Sequence, residues 1–355
     1  MNLEFKPDFQ RAQQMWEAFW KGENRRPLIH ILIPKEGVKE VAFPRYLAGR
    51  DGNFQPVIDQ ALAWADTHEF IGEAIPFFFV EWGPDTFSSF LGADIRFTPE
   101  QEPDTGWCVP FVKDWDEVEI RFRRDSYWWQ MTVNFFRELR RQCDGKLLIY
   151  PPTFVANLDS LAAIRGIENL LVDLVTCPDK VKDALDAVCR AHAEILEECS
   201  RELDFDRFGS MGMERTYCKG KQSRPQCDMS CMISPEMFRE FVKPALVRET
   251  NDTDVAFYHL DGSGGLKHLE ALCEIEKLDG ISWIPSAGNE AQLDWSWLYR
   301  RIDELGKGFN IPIESHEEIE NMWRRFKTRK IYIYTSASSK MEAEDLIVRL
   351  EKVEK

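Results

Sequence analysis

The sequence predicts an α/β fold, a (β/α)8 TIM barrel with an N-terminal helical extension and an insertion after its second strand. Short apolar runs typical of buried strands recur along the chain, and segments of helical periodicity separate most of them. The two nucleotide fingerprints of doubly wound sheets, G-x-G-x-x-G after a strand and G-x-x-x-x-G-K-[ST], are both absent. Single α/β barrels reach the length of this chain, 355 residues, so we treat residues 1–355 as one domain.

Eight strand-like runs account for the predicted barrel. They cover residues 28–33, 70–82, 146–151, 205–211, 254–261, 280–285, 308–313 and 330–335. Before the first run, residues 8–21 form an amphipathic helical pattern, which is the N-terminal extension. The most regular helix covers residues 178–203. Another helix begins at Ser234 with a cap and a first-turn proline, and Pro244 is expected to kink it.

Residues 85–145 interrupt this alternation. They contain a predicted hairpin, formed by residues 95–97 and 107–112, and a predicted helix near 126–142. This insertion could serve as a lid over a pocket or only as packing. A doubly wound open sheet remains the alternative architecture.

Composition limits the classes of partner and compartment. The net charge of -16 would repel nucleic acid. The N-terminal residues form no apolar run, and no apolar stretch approaches the roughly 20 residues that span a bilayer. Nine cysteines, an odd number scattered along the chain, indicate free thiols in a reducing compartment. We therefore expect a cytoplasmic protein with no membrane segment.

The segment Val255 to Gly265 carries the main candidate site. Val255 to Tyr258 have the composition of a buried strand. His259 and Asp261 lie two residues apart, so both side chains point to one side of that strand. Glycines follow at once and let another group approach the backbone closely. The alternative is that the two side chains only bond each other or a nearby loop.

Active sites of α/β barrels lie at the carboxyl ends of the strands. Polar and aromatic residues follow several of the predicted strands, which places them at this edge. The predicted catalytic residues are His259, Asp228 and Glu214, acting as acid, base or positioning groups. The predicted substrate-binding residues are Trp82, Asn157, Tyr217, Asp261, Trp283 and Tyr334. Plain packing of Trp283 and a surface pair of Glu214 with Arg215 are the structural alternatives.

A metal such as zinc is a further prediction for this site. A catalytic zinc takes about three protein ligands. His259 and Asp261 would supply two of them, and a cysteine or glutamate nearby would supply the third. A carboxylate-rich site without a metal is the alternative.

Three segments resemble the uroporphyrinogen decarboxylase superfamily. They are residues 159–170, Asp228 with the run Ile233 to Phe241, and Tyr258 to Gly262, and the resemblance extends from about residue 70 to the C-terminus. That superfamily also contains cobamide-dependent methyltransferases. The resemblance implies a (β/α)8 barrel that moves a methyl group between a small methylated compound or a corrinoid protein and an acceptor. Cobamide would then be carried by a partner protein.

The chain departs from both branches of that superfamily. The decarboxylase has an arginine-rich segment after its first strand, whereas Ile33 to Gly37 contain no arginine, so we expect a substrate other than uroporphyrinogen. The thiol-methylating relatives have a His-x-Cys zinc motif and a later cysteine. His259 matches the histidine, but Asp261 stands at the first cysteine and Tyr334 to Ser336 replace the second.

The leading hypothesis is a corrinoid-linked methyltransferase. The alternatives are a carboxy-lyase with Asp228 as the proton donor, and a catalytically silent relative that binds a small ligand. The candidate partners are a small-molecule substrate, a corrinoid protein and a second copy of the chain.

Overall fold

The computed structural model describes residues 2–100, 104–286 and 293–355. The strands are β1 (Leu28–Pro34), β2 (His68–Gly72), β3 (Phe77–Phe79), β4 (Asp94–Phe97), β5 (Gly106–Val109), β6 (Leu148–Tyr150), β7 (Ser210–Met211), β8 (Tyr217–Cys218), β9 (Gln222–Ser223), β10 (Val255–Asp261), β11 (Gly280–Ile284), β12 (Gly308–Pro312) and β13 (Ile331–Tyr334).

Helices separate most of these strands. They are α1 (Phe9–Lys21), α2 (Gln55–Asp66), α3 (Thr86–Ser89), α4 (Tyr127–Cys143), α5 (Leu158–Arg165), α6 (Ile167–Thr176), α7 (Pro178–Leu203), α8 (Phe205–Phe208), α9 (Pro235–Met237), α10 (Lys243–Asn251), α11 (Leu269–Cys273), α12 (Ser296–Glu304), α13 (His316–Arg325) and α14 (Lys340–Leu350). The predicted helices at residues 8–21 and 178–203 are confirmed as α1 and α7.

A mostly parallel sheet forms the centre of the fold. In the described residues its strand order is β2-β1-β13-β12-β11-β10-β9, and only the β1–β2 pair is antiparallel. The strands β3 and β6 form a separate parallel pair, and β7 and β8 form an antiparallel pair. The mixed α/β class is confirmed and is compatible with a TIM-like fold. The closed ladder of an eight-stranded barrel is not present among the described residues.

Two predicted strands differ in the structure, and both differences occur at residues with positive φ. Residues 205–211 do not form one strand, because α8 fills Phe205–Phe208 and Gly209 (φ 75°) precedes the short β7. Residues 70–82 contain the end of β2 and all of β3, separated after Gly72 (φ 67°). A Cβ at Gly72 would lie 2.4 Å from the Ile29 carbonyl oxygen, so this turn requires glycine.

Strand register places a set of polar residues on one face of the sheet. His30 pairs with Tyr334, Asn310 with Tyr332, Ser282 with Asn310, and His259 with Ser282. Side chains alternate between faces along each strand, so these residues share one face, which we call the inner face.

Helix α1 packs on the amino end of the inner face. The rings of Trp16 and Tyr332 lie 4.8 Å apart, and those of Phe19 and Phe257 lie 6.4 Å apart. Aromatic residues fill the amino end, so the polar side chains of the inner face lie nearer the carboxyl ends of the strands. Of these, His259 and Tyr334 are partly exposed.

The insertion contains the predicted hairpin and helix. Strands β4 and β5 pair antiparallel from Asp94–Val109 to Phe97–Gly106. The Ser126 side chain accepts a hydrogen bond from the Trp129 N–H, which caps α4. Movement of this insertion as a lid stays a prediction.

The expected kink near Pro244 takes the form of a wide helical turn. The Ser234 side chain caps α9, a π-helical turn follows at Phe238–Val242, and Pro244 lies in the first turn of α10. Proline has no N–H to donate to the preceding turn, which accounts for the break in the α-helical hydrogen bonds.

No helix within residues 2–100, 104–286 and 293–355 is long and apolar enough to cross a bilayer. All nine cysteines are free thiols, and Cys231 is exposed.

Candidate functional site

A buried charge cluster lies at the carboxyl end of the inner face. The Nδ1 atom of His259 lies 3.1 Å from Oε1 of Glu214, and Nε of Arg224 donates to the same oxygen at 2.6 Å. Their side chains are between 7% and 14% exposed, so the charges of Glu214 and Arg224 and the imidazole of His259 interact with little solvent screening. We call Glu214, Arg224 and His259 the His259 cluster. It joins two of the predicted catalytic residues.

The Glu214 carboxylate is held in its charged form. Burial alone would raise its pKa, but Arg224 and the hydrogen bond from His259 outweigh burial and lower the pKa to about 2. An ionised Glu214 accepts the Nδ1–H of His259, which leaves the lone pair on Nε2. The cluster therefore presents an imidazole nitrogen that can accept a proton.

Tyr334 fixes the backbone beneath this cluster. Its hydroxyl donates to the Glu214 carbonyl oxygen, and the Asn310 amide donates to the Tyr334 oxygen at 3.3 Å. Burial, reinforced by the negative charge of Glu214, raises the pKa of Tyr334, so the phenol remains a donor. Tyr334, predicted to bind substrate, lies beside the cluster and positions it.

Arg215 has an unusual backbone conformation next to Glu214. Its φ of 54° lies in the left-handed region that is costly for a residue with a side chain. Its Nη1 lies 3.3 Å from Nε2 of His30, and its guanidinium lies 5.6 Å from the centre of the Phe77 ring. The described residues place no carboxylate within 4 Å of it. Strain of this kind concentrates at functional sites.

His30 is the neutral partner of that arginine. Burial, with the charge of Arg215, lowers its pKa well below the ordinary value. Its Nδ1 lies 3.0 Å from the Tyr332 hydroxyl, which donates to the Arg215 carbonyl at 3.2 Å. Tyr332 therefore holds the strained residue in place.

A pair of aspartates lies next to the His259 cluster. The backbone N–H groups of Asp228 and Met229 donate to the two oxygens of Asp159, each at 2.8 Å. Gln226 connects the two groups, because it accepts from Arg224 at 2.7 Å and donates to Asp228 at 3.2 Å. We call Asp159 and Asp228 the aspartate pair. Asp228, the third predicted catalytic residue, is thus connected to the other two.

Burial sets the protonation of the aspartate pair. Burial, with the negative charge of Asp228, raises the pKa of Asp159 to about 7. Burial also raises the pKa of Asp228, although the charges of His259 and Arg224 oppose that rise. The pair can therefore hold or release a proton near neutral pH.

A cleft of about 780 Å³ opens beside the aspartate pair. The insertion, α5, the start of α6 and the loop through Asp228 to Met232 form its walls. This volume suits a small organic molecule. The loop that carries Asp228 lines the cleft and also contacts the His259 cluster through Gln226, so the two sites adjoin.

Two predicted pocket residues lie in packing instead. Trp82 is fully buried, donates to the Thr132 hydroxyl at 2.7 Å and packs near Trp128. Tyr217 is also fully buried, and its hydroxyl bonds Gln13 of α1 at 2.6 Å. Neither side chain faces the cleft or the His259 cluster, so the structure does not support their substrate-binding roles.

The side chains of Asn157 and Trp283 also make contacts that stabilise the fold. Asn157 caps α5 by accepting from the Asp159 N–H at 3.2 Å, and its amide donates to the Gln226 carbonyl at 2.6 Å. It therefore positions the aspartate pair. Trp283 pairs with Leu260 in the register, on the face opposite to His259, and packs 4.7 Å from the Trp295 ring.

Asp261 lies at the exposed end of β10, on the same face as His259. Within the described ranges, no group of three His, Cys, Asp or Glu side chains is arranged to hold a metal ion. His259 and Asp261 are two donors, fewer than the about three of a catalytic zinc site, so these residues alone do not fit zinc. Binding of zinc and of cobamide stays a prediction.

Sequence reasoning missed Arg224, Gln226, Arg215 and His30. Arg224 follows β9 directly, and its position one residue after a strand could have indicated a role at the carboxyl edge. The strained φ of Arg215 left no signal in the sequence, because arginine rarely adopts it.

The chain resembles a solved methyltransferase from Methanosarcina mazei in its fold. The TM-score is 0.59 at 10% sequence identity, and the match covers 96% of this chain and 98% of that one. No family model matches the chain, and no curated protein matches it. The likeness covers nearly the whole of both chains. At 10% identity it concerns the fold alone.

Proposed function

We propose that the protein is a methyltransferase that moves a methyl group between a small methylated compound or a corrinoid protein and an acceptor. The observation that carries the proposal is the His259 cluster at the carboxyl end of the inner face. It lies in a chain that resembles a methyltransferase in fold over 96% of its length. The sequence resemblance to the uroporphyrinogen decarboxylase superfamily supports the same assignment. Cytoplasmic location, a corrinoid partner and a dimer are parts of this proposal.

The proposed reaction needs a base. The nucleophilic atom of the acceptor uses its electron pair to form a bond to the methyl carbon. The bond between the methyl group and its carrier breaks, and its electron pair stays on the carrier. His259 Nε2 takes the proton that the acceptor loses, while Glu214 holds the ring and stabilises the positive charge that develops on it.

The aspartate pair favours a second candidate, a carboxy-lyase. Loss of carbon dioxide leaves a carbanion that must be protonated, and Asp159, with its pKa raised to about 7 by burial and by Asp228, keeps a proton near neutral pH. Asp228, whose pKa burial also raises, would deliver its own proton to the carbanion at the cleft.

A product assay separates these functions. We expect wild-type protein to transfer methyl from methylcobalamin, or from a methoxyarene or quaternary ammonium compound, to an added thiol faster than a no-protein blank. Mass spectrometry of the thioether measures the product. Carbon dioxide release from small carboxylic acids without thioether would support the lyase. If neither product forms and ligands only raise the melting temperature, the protein is a binding protein.

Replacing Arg215 by glycine should lower the activity and leave the stability nearly unchanged. Glycine accepts a φ of 54° without strain, so we expect the free energy of unfolding to stay within about 1 kcal/mol of the wild type. The variant loses the contacts with His30 and Phe77, so methyl transfer should fall about tenfold or more. Chemical denaturation and the thioether assay measure the two effects.

Asp204→Gly is the matched control, since Asp204 also has a positive φ (55°) but ends α7. It should leave methyl transfer unchanged. Equal activity of Arg215→Gly and the wild type would show that the strained arginine has no functional role.

A further inference from the structure

Acidic side chains line the cleft beside the aspartate pair, and the lining residues that the structure describes offer no basic side chain to pair with them. Four carboxylates line it, and its described lining contains no lysine, arginine or histidine. These carboxylates belong to Asp85, Asp159, Glu168 and Asp228. In the described part of the chain, none of the four forms an ion pair with a basic side chain within 4 Å. A bound cation would favour the ionised form of these carboxyl groups and pair with them.

Basic groups near the cleft have other partners, and Lys267 donates to the carbonyl oxygen of the lining residue Cys231 at 2.9 Å. Arg224 donates to Glu214 and Gln226, and His259 bonds Glu214. The charges of Arg224 and His259 oppose the rise that burial causes in the pKa of Asp228, but neither group forms an ion pair with it. Asp85 accepts a hydrogen bond from the Cys108 N–H at 2.9 Å, and burial raises its pKa.

The remaining walls of the cleft are apolar and partly accessible. Trp107 is 47% exposed, Ile167 49% and Met232 48%, and all three line the cleft. Phe87 and Met229 also line the cleft and are buried. Aromatic faces attract organic cations, and methionine adapts to ligands of varied shape. The cleft of about 780 Å³ is large enough for a drug-sized molecule.

We infer that this cleft binds a small organic cation with an apolar body, either an amine or a quaternary ammonium compound. As an assignment of the substrate class the inference rests on the proposed function, because such a cation would be the small substrate of the adjoining His259 cluster. The carboxylates select the charge, and Trp107, Ile167 and Met232 contact the apolar body.

Isothermal titration of the full chain with choline and with 3,3-dimethylbutan-1-ol tests the inference. The two molecules have nearly the same shape and differ in charge. We expect choline to bind about tenfold more tightly than the neutral alcohol, and phenyltrimethylammonium to bind more tightly than choline. Equal binding of choline and the alcohol, or tighter binding of phenylacetate, would overturn the inference.

Two variants locate the binding. Asp228→Asn should weaken choline binding about tenfold and leave the alcohol unaffected, and Trp107→Ala should weaken binding of both cations. The controls are Asp183→Asn, an exposed aspartate on α7, and Trp297→Ala on α12, which is 48% exposed. Choline binding that is unchanged in both cleft variants would place the cation elsewhere and refute the inference.

The two proposals can fail separately. Cation-selective binding in the cleft without thioether formation from any donor would support the cleft assignment and contradict the methyltransferase. Thioether formation from methylcobalamin without cation binding would do the reverse.

Discussion

Replacing His259 by alanine should lower the rate of methyl transfer by roughly 10²- to 10⁴-fold, the range typical of a positioned general base. The reason is local, because His259 is the proton acceptor of the cluster and Glu214 fixes its ring at 3.1 Å. Initial rates of thioether formation at saturating acceptor measure the loss. Far-ultraviolet circular dichroism verifies that the variant is folded.

The matched control is His316→Ala. His316 begins α13, and its Nε2 lies 3.0 Å from the Ser336 carbonyl oxygen, so its loss should leave the rate unchanged. Glu214→Gln should lower the rate by a smaller factor than His259→Ala, because the amide keeps the shape of the side chain and loses its charge. A His259→Ala variant with wild-type turnover would remove the imidazole from the proposed reaction.

The parts of the fold that sequence analysis predicted are those governed by local pattern. The run Val255 to Tyr258 is buried on both faces, and such runs are apolar throughout. The two-residue spacing of His259 and Asp261 correctly placed both on one face of β10. Pro178 and the regular apolar spacing that follows it gave both ends of α7.

The parts that sequence analysis missed depend on tertiary contacts. Glu214 and Arg224 meet only because the chain reverses at Arg215 and returns through β8 and β9. The pattern of a strand does not indicate whether a tryptophan side chain packs in the core or lines a cleft. The Trp82 side chain packs against α4. A closed barrel was predicted from strand count, whereas two-residue strands such as β7 and β9 leave gaps in the ladder.

A second large effect concerns stability and lies away from the cleft. Glu249 of α10 and His192 of α7 are both buried, with Nε2 and Oε1 3.9 Å apart. Burial and the negative charge of Asp252 raise the pKa of Glu249 to about 8, and burial lowers the pKa of His192 to about 4. At neutral pH both side chains are therefore uncharged, as a buried pair without solvent contact requires.

Glu249→Gln should stabilise the protein increasingly as pH rises. The pKa of Glu249 is raised in the folded state, so this state holds a proton that the unfolded chain has already released above about pH 5. The wild-type protein therefore loses stability as pH rises toward about 8. Glutamine does not titrate, so the Glu249→Gln variant does not show this loss. We expect the variant to gain roughly 3 kcal/mol over the wild type between about pH 6 and pH 8.

Urea denaturation across this pH range measures the difference between the two proteins. Groups common to both, such as Asp159, cancel in that difference, and His192 titrates mainly below it. Glu276→Gln, at an exposed glutamate, should follow the wild type at every pH. Parallel curves for Glu249→Gln and the wild type would mean that Glu249 is already ionised at neutral pH, which would require water or a cation between α7 and α10.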